Sequence, residues 1–247
     1  MIRDILPPEV AARREILQKI VRVLEHAGYA EIVTPSFEEY TGLSAGLPEH
    51  LKDAAYRFSD HKGAQMILRP DITTQIARVA ATKLGKQKGP LRFYYSGDVY
   101  RTSGLEIGQN HQFHQIGVEL FDVAGARGDR EILTLAEDVL QSIGLKNFRI
   151  ARTDAGKIRR LPSKQREALR RQDFASLRRL PHLSELLSVD LEYYTGLYFE
   201  CFVPDMGYIL GSGGRYDNLC SAFGRKRTAV GFAFNLDKLA QCVRGRN

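Results

Sequence analysis

A helix, then a succession of strand-like runs joined by polar loops, then a closing strand and helix predict an α+β protein: an antiparallel sheet flanked by helices. Pro7 and Pro8 suit a first helical turn. Behind them Ile16, Ile20, Val23, Leu24 and Ala27 recur at helical spacing, and Gly28 ends the run as a C′ glycine does. Residues 29–33 read as a short strand leading to Pro35, residues 41–48 as a loop rich in Gly and Ser, and residues 65–68 as a strand stopped by Arg69-Pro70. Asp71 or Thr73 is placed to cap the next helix, which carries Ile76, Val79 and Ala80 to about Gly85. Residues 91–99 and 113–121 read as strands, and the polar, glycine-bearing stretch 102–110 makes them antiparallel neighbours. An amphipathic helix over 129–143 sets Ile132, Leu135, Ala136 and Val139 on one face. Residues 148–151, 191–194, 197–203 and 208–210 read as further strands, and Gly211-Ser212-Gly213-Gly214 as a sharp break. A last strand over 230–234 and a helix from Leu236 complete the series.

The 247 residues show no internal repeat and no low-complexity linker, so 1–247 reads as one unit with ample length for a core. The net charge of +7 invites a nucleic-acid reading, but its distribution weakens it. Residues 151–180 hold ten basic and three acidic side chains, an excess equal to that of the whole chain, so the remainder is neutral. This is read as a short basic helical insertion at about 151–182, for which a solvated helical face is the simpler account. No apolar run is long enough to span a membrane, and the opening residues, with an early acid and no apolar stretch, do not read as a secretion signal. Cys201, Cys220 and Cys242 are few, odd in number and far apart, which argues against a disulfide framework or a metal site and fits a reducing cytoplasm.

Four segments gather polar groups beside apolar runs. Asp71 and Thr73 sit two apart at a strand-to-helix turn, where they suit either helix capping or an ammonium ligand. Gln115, Gly117 and Glu119 share one side of a strand, and Arg101 ends the preceding one. Buried charge is costly unless paired, so this is either a structural Arg101–Glu119 pair or the wall of a polar pocket. His114 points to the opposite face and reads as a satisfied structural histidine. Tyr193 and Tyr194 suit the wall of a planar-ligand site or an aromatic strand. The run Gly211 to Asn218 holds glycines that permit close backbone approach, or make a plain turn.

In order and spacing these segments resemble the histidyl-tRNA synthetase family over roughly residues 3 to 240. Val33-Thr34-Pro35 resembles class II motif 1, which builds a dimer interface. Tyr100-Arg101 through Glu119 resembles motif 2. Thr195-Gly196 and Gly213-Gly214-Arg215-Tyr216-Asp217 resemble the histidine-specific signatures, and the run from Ala229 to Leu236 the opening of motif 3. The resemblance implies a class II synthetase-like fold and a histidine pocket. Asp71 and Thr73 would hold the α-amino group, Arg101 and Gln115 the carboxylate, and Glu119 and Tyr194 the imidazole, with Tyr193 nearby.

Departures from that family bear on activity. Where its Arg-Gly-Leu-Asp-Tyr-Tyr run has a catalytic arginine, this chain has Val189, which cannot stabilise a transferring phosphoryl group. The ATP-clamping loop corresponds to residues 102–111, which hold no arginine or lysine, and the motif 3 arginine to Lys238, which lacks the planar fork. No anticodon-binding domain is expected in this chain. The chain therefore resembles the regulatory subunits of ATP phosphoribosyltransferase. That resemblance implies a non-catalytic, histidine-binding partner of a short-form catalytic subunit in histidine biosynthesis. It implies a homodimer within a hetero-oligomer, feedback regulation by histidine, and no catalytic residue, cofactor, metal or tRNA. The alternative is a paralogous enzyme that adenylates histidine or another amino acid for a non-tRNA acceptor.

Overall fold

The computed structural model describes residues 3–102, 110–165, 194–206 and 209–244. The first helix, α1 (Pro7–His26), begins on its two prolines and ends before Gly28, whose φ of +82° is left-handed and therefore cheap for glycine. Ile16, Ile20 and Leu24 form its buried stripe, whereas Ala27 is exposed. Strand β1 (Ala30–Glu31) is shorter than the run that announced it, and Val33 beyond it is 83% exposed. Strands β2 (Phe37–Glu39), β3 (Arg57–Ser59) and β4 (Gln65–Leu68) make a small antiparallel sheet in the order β2-β4-β3.

Two short helices, α2 (Tyr40–Ser44) and α3 (Glu49–Ala54), occupy part of the expected loop 41–48 and the residues after it. They bury Leu43, Leu47 and Leu51 against Ile67 of the small sheet, a non-local contact that overrides the local turn composition. Helix α4 (Thr73–Ala81) stops a turn short of Gly85.

The main sheet has seven strands. Strands β5 (Leu91–Tyr100), β6 (Gln112–Phe121), β7 (Arg149–Asp154), β8 (Leu197–Phe202), β9 (Ile209–Arg215) and β10 (Ala229–Asn235) join β1 in the order β1-β5-β6-β10-β9-β8-β7. Every pairing is antiparallel except β1 with β5. Helices α1, α5 (Gly125–Ser142) and α7 (Leu236–Arg244) cover one face, over a core that includes Leu24, Val118, Val139, Phe199 and Phe234. Helix α4 and the 3₁₀ turn Leu219–Phe223 pack on the other face, around Ile76, Tyr95, Phe121 and Tyr216. Short α6 (Ala155–Arg159) follows β7, with Asp154 accepting from the N–H groups of Gly156 at 2.7 Å and Lys157 at 3.4 Å.

Two expectations need correction. The run Gly211-Ser212-Gly213-Gly214 is no break but most of β9, paired to β8 on one side and β10 on the other. Its glycines serve close approach: a Cβ on Gly214 would lie 2.7 Å from the Tyr194 ring. The basic segment placed at 151–182 also starts inside the sheet, since residues 151–154 belong to β7. Residues 166–193, with most of that segment, Val189, Tyr193 and the expected strand 191–194 up to Tyr193, lie outside the described residues, as do 103–109 of the loop 102–111.

Among the described residues no helix is long and apolar enough to cross a membrane. The three cysteines are buried free thiols. Leu24 is wholly buried between α1 and the sheet, so Leu24→Ala is expected to cost about 2–5 kcal/mol. Urea unfolding followed by circular dichroism measures this.

Candidate functional site

A cavity of about 220 Å³ opens on the face of the sheet that carries α4, where strands β6, β9 and β10 meet the start of that helix. It is smaller than the roughly 300–1,000 Å³ usual for drug-sized ligands, a size for a small metabolite. Asp71, Thr73, Arg101, Gln115, Glu119 and Tyr194 all line it. Six of the seven residues expected at the site are thus brought together from four parts of the chain; Tyr193 is outside the described residues.

Glu119 is the deepest of them, 1% exposed near the middle of the sheet. Thr73 Oγ1 donates to its Oε1 at 2.6 Å, while its Oε2 has no partner among the described residues. Burial pushes this carboxyl well above the ordinary carboxylate range, the Thr73 bond opposes the shift, and the negative charge of Asp71 adds to it. Gly231 faces Glu119 across the β6–β10 pair, where a Cβ would collide with Oε2 and stand 2.7 Å from the Tyr216 hydroxyl. That position therefore admits only glycine without rearrangement.

Asp71 sits before α4 and is 8% exposed. It accepts from the Thr74 N–H at 3.3 Å and the Thr74 hydroxyl at 3.2 Å, so it does cap the helix, and it also faces the cavity. Burial raises its pKa, against the pull of Thr74 and the Arg101 charge. Arg101 donates from Nε to the Pro70 carbonyl at 2.9 Å, with its guanidinium 5.2 Å from the Phe113 ring centre. Buried Oε1 of Gln115 has no partner among the described residues. Tyr194 packs on Tyr198 with ring centres 4.7 Å apart, and burial raises the pKa of both phenols.

Arg101 and Glu119 both line the cavity, and the Glu119 bond resolved is to Thr73. His114 lies on the far face, bonded to Ser96 Oγ and Asp98 Oδ1 at 2.7 Å each. Arg215, inside a signature segment, serves the frame: it pairs with Asp129 at 2.7 Å and Asp217 at 3.1 Å and donates to the Gly125 carbonyl at 3.0 Å. Lys238 donates to the Ile209 carbonyl at 2.9 Å. The lining also includes His50, Tyr198, Ser212 and Tyr216, which the sequence reading did not single out. Tyr198 and Ser212 stood within segments already marked, at alternate positions facing Tyr194 and Gln115's side; His50, on α3, carried no local signal at all.

A seven-stranded, mainly antiparallel sheet with helices on one face and a polar cavity on the other defines a class II synthetase-like core. The Histidyl-tRNA synthetase family model matches residues 1–187 and 182–239, and the chain belongs to that family. It is 33% identical to the ATP phosphoribosyltransferase regulatory subunit of Moorella thermoacetica, over 96% of this chain and 79% of the relative. It is 30% identical to the Histidine--tRNA ligase of Methanocaldococcus jannaschii, over 96% of this chain and 73% of that one. Among solved structures, an ATP phosphoribosyltransferase regulatory subunit/histidyl-tRNA synthetase from Bacillus halodurans superposes with a TM-score of 0.86 at 24% identity, covering 98% of this chain and 81% of the other. At that identity the shared property is the fold.

A carboxyl whose pKa is raised on folding weakens the fold as pH climbs from its unfolded value through its folded one, because the folded state resists losing the proton. Glu119→Gln keeps the Thr73 acceptor and cannot ionise. Its melting temperature is expected to exceed the wild type's at neutral pH, with the gap closing as pH falls toward the ordinary carboxylate range. Calorimetry across that range checks it; a gap that widens on acidification would contradict the assigned burial effect.

Proposed function

We propose that this chain is a non-catalytic regulatory subunit of ATP phosphoribosyltransferase that binds histidine and transmits feedback to a short-form catalytic subunit. The observation that carries the reading is the pair of desolvated acids, Asp71 and Glu119, in one small cavity with Arg101 and Gln115. Free histidine offers a matching set: an ammonium, a carboxylate and a ring N–H. Asp71 and Thr73 take the ammonium, Arg101 and the Gln115 amide the carboxylate, and Glu119 the imidazole, beside the Tyr194 ring. The similarity to relatives named as regulatory subunits supports the assignment to histidine biosynthesis.

Regulation then follows from linkage. Histidine shifts the complex toward an inhibited state only by the difference between its affinities for the two states. The working assembly is a homodimer within a hetero-oligomer in the cytoplasm, without tRNA, and the basic segment from Lys157 to Arg179 contributes to the contact with the catalytic partner. Neutralising the arginines of that segment weakens co-purification of the two subunits on this reading.

The likeness to a Histidine--tRNA ligase supports a second reading, an enzyme that still adenylates an amino acid. Exchange of pyrophosphate with ATP, measured against each of the twenty amino acids beside an authentic synthetase, separates the two. No exchange is expected; exchange with any amino acid replaces the regulatory reading by the enzymatic one. Glu119→Ala is expected to weaken histidine binding by about 1.5–3 kcal/mol, roughly ten- to a hundredfold, and to relieve inhibition in parallel. Titration calorimetry and an inhibition assay on the complex check this together, and an unchanged affinity removes Glu119 from the pocket.

A further inference from the structure

A second recess of about 350 Å³ lies at the other end of the same strands, where the loop before β5, the end of β6 and the loop before β10 converge. It shares no lining residue with the first cavity. Its charged lining is Lys86, Lys88, Arg225, Lys226, Arg227 and Asp122; the remainder is two glycines and one glutamine.

Arg227 builds the floor. It is 6% exposed, pairs through Nη1 with Asp122, and donates from Nη2 to the carbonyls of Leu84 and Gln87 at 2.8 Å each. One buried guanidinium thereby ties the two loops together and consumes the recess's single acid. Asp122 holds a φ of +62°, the one positive φ of a non-glycine residue among those described, so this clasp is kept against local strain. Lys86, Lys88, Arg225 and Lys226 are exposed on the clasped loops, and among the described residues none has an ion-pair partner.

Four cations converging without a counter-charge repel one another, and a compact multivalent anion relieves that repulsion. The lining holds no aromatic side chain on which a base could stack and no apolar anchor of the kind protein interfaces centre on. Charge density is therefore all that the recess can recognise. We propose that it binds the phosphates of a small di- or triphosphate.

The test is titration calorimetry of the full chain with inorganic pyrophosphate, with orthophosphate, tripolyphosphate, ATP and a single-stranded RNA in parallel. Pyrophosphate is expected to saturate one site per chain, and orthophosphate to bind about tenfold or more weakly. The double variant Lys86→Ala/Lys226→Ala is expected to lose about tenfold or more in pyrophosphate affinity with its melting temperature unchanged, and Arg225→Ala to lose less. ATP matching tripolyphosphate assigns recognition to the phosphates alone, whether free or on a nucleotide. Pyrophosphate binding that fails to saturate, or that survives the double variant, overturns the proposal. RNA binding that exceeds pyrophosphate binding and falls in the same variant overturns it in favour of a nucleic-acid surface.

Discussion

Glu119 lies on β6, between β5 and β10, with its carboxyl buried and one oxygen without a partner among the described residues. A group so placed would ordinarily be selected against, because desolvating a carboxylate costs several kcal/mol even after relaxation. Its surroundings are arranged around that cost. Thr73 reaches over from the start of α4 to donate, Gly231 leaves the space the carboxyl needs, and the rings of Tyr194 and Tyr216 border the same cavity. Burial favours the protonated form of this acid, so ionising it costs the fold stability. The pocket's stability and its chemistry are thus two consequences of one buried side chain.

Rigidity comes from residues that never touch the cavity. Arg69 is buried and donates to the Asp98 carbonyl at 2.7 Å and the Thr34 carbonyl at 2.8 Å, joining β5 to the segment after β1 beneath the Asp71 turn. Arg215 ties β9 to the start of α5, and Arg227 ties the loops at the far end of the sheet. Each buried arginine spends its fork on backbone carbonyls that would otherwise lack donors, which a lysine's single ammonium could not do for several at once. Arg101 lines the cavity, whereas these three hold the frame.

The two cavities sit at opposite ends of the central strands and differ in physical character. One is a polar site whose acids are buried; the other is a basic recess with four exposed cations that have no ion-pair partner among the described residues. Strands β5, β6 and β10 run between them without interruption.

Periodicity alone determined much of this protein. The α1 stripe, the β5–β6 pair, the α5 face and the closing β10–α7 unit are legible because each is long enough for its period of two or 3.6 residues to repeat. The alternation of Gln115, Gly117 and Glu119 likewise placed two pocket residues on one side before any fold was known. Elements with no period escaped: the glycines of β9 have no side chains to alternate, and α2 and α3 are too short to show a stripe. Apart from the family resemblance, only the tertiary structure showed that Asp71, Arg101 and Tyr194 meet Glu119, and that His50 and Ser212 join them. Residues from separate elements come together through strand register and packing, and no local pattern encodes those distances. The clustering of Lys86 and Lys88 with Arg225 and Lys226 has the same origin. In sequence they are two unremarked basic pairs more than a hundred residues apart, and the β5–β6–β10 register makes them neighbours.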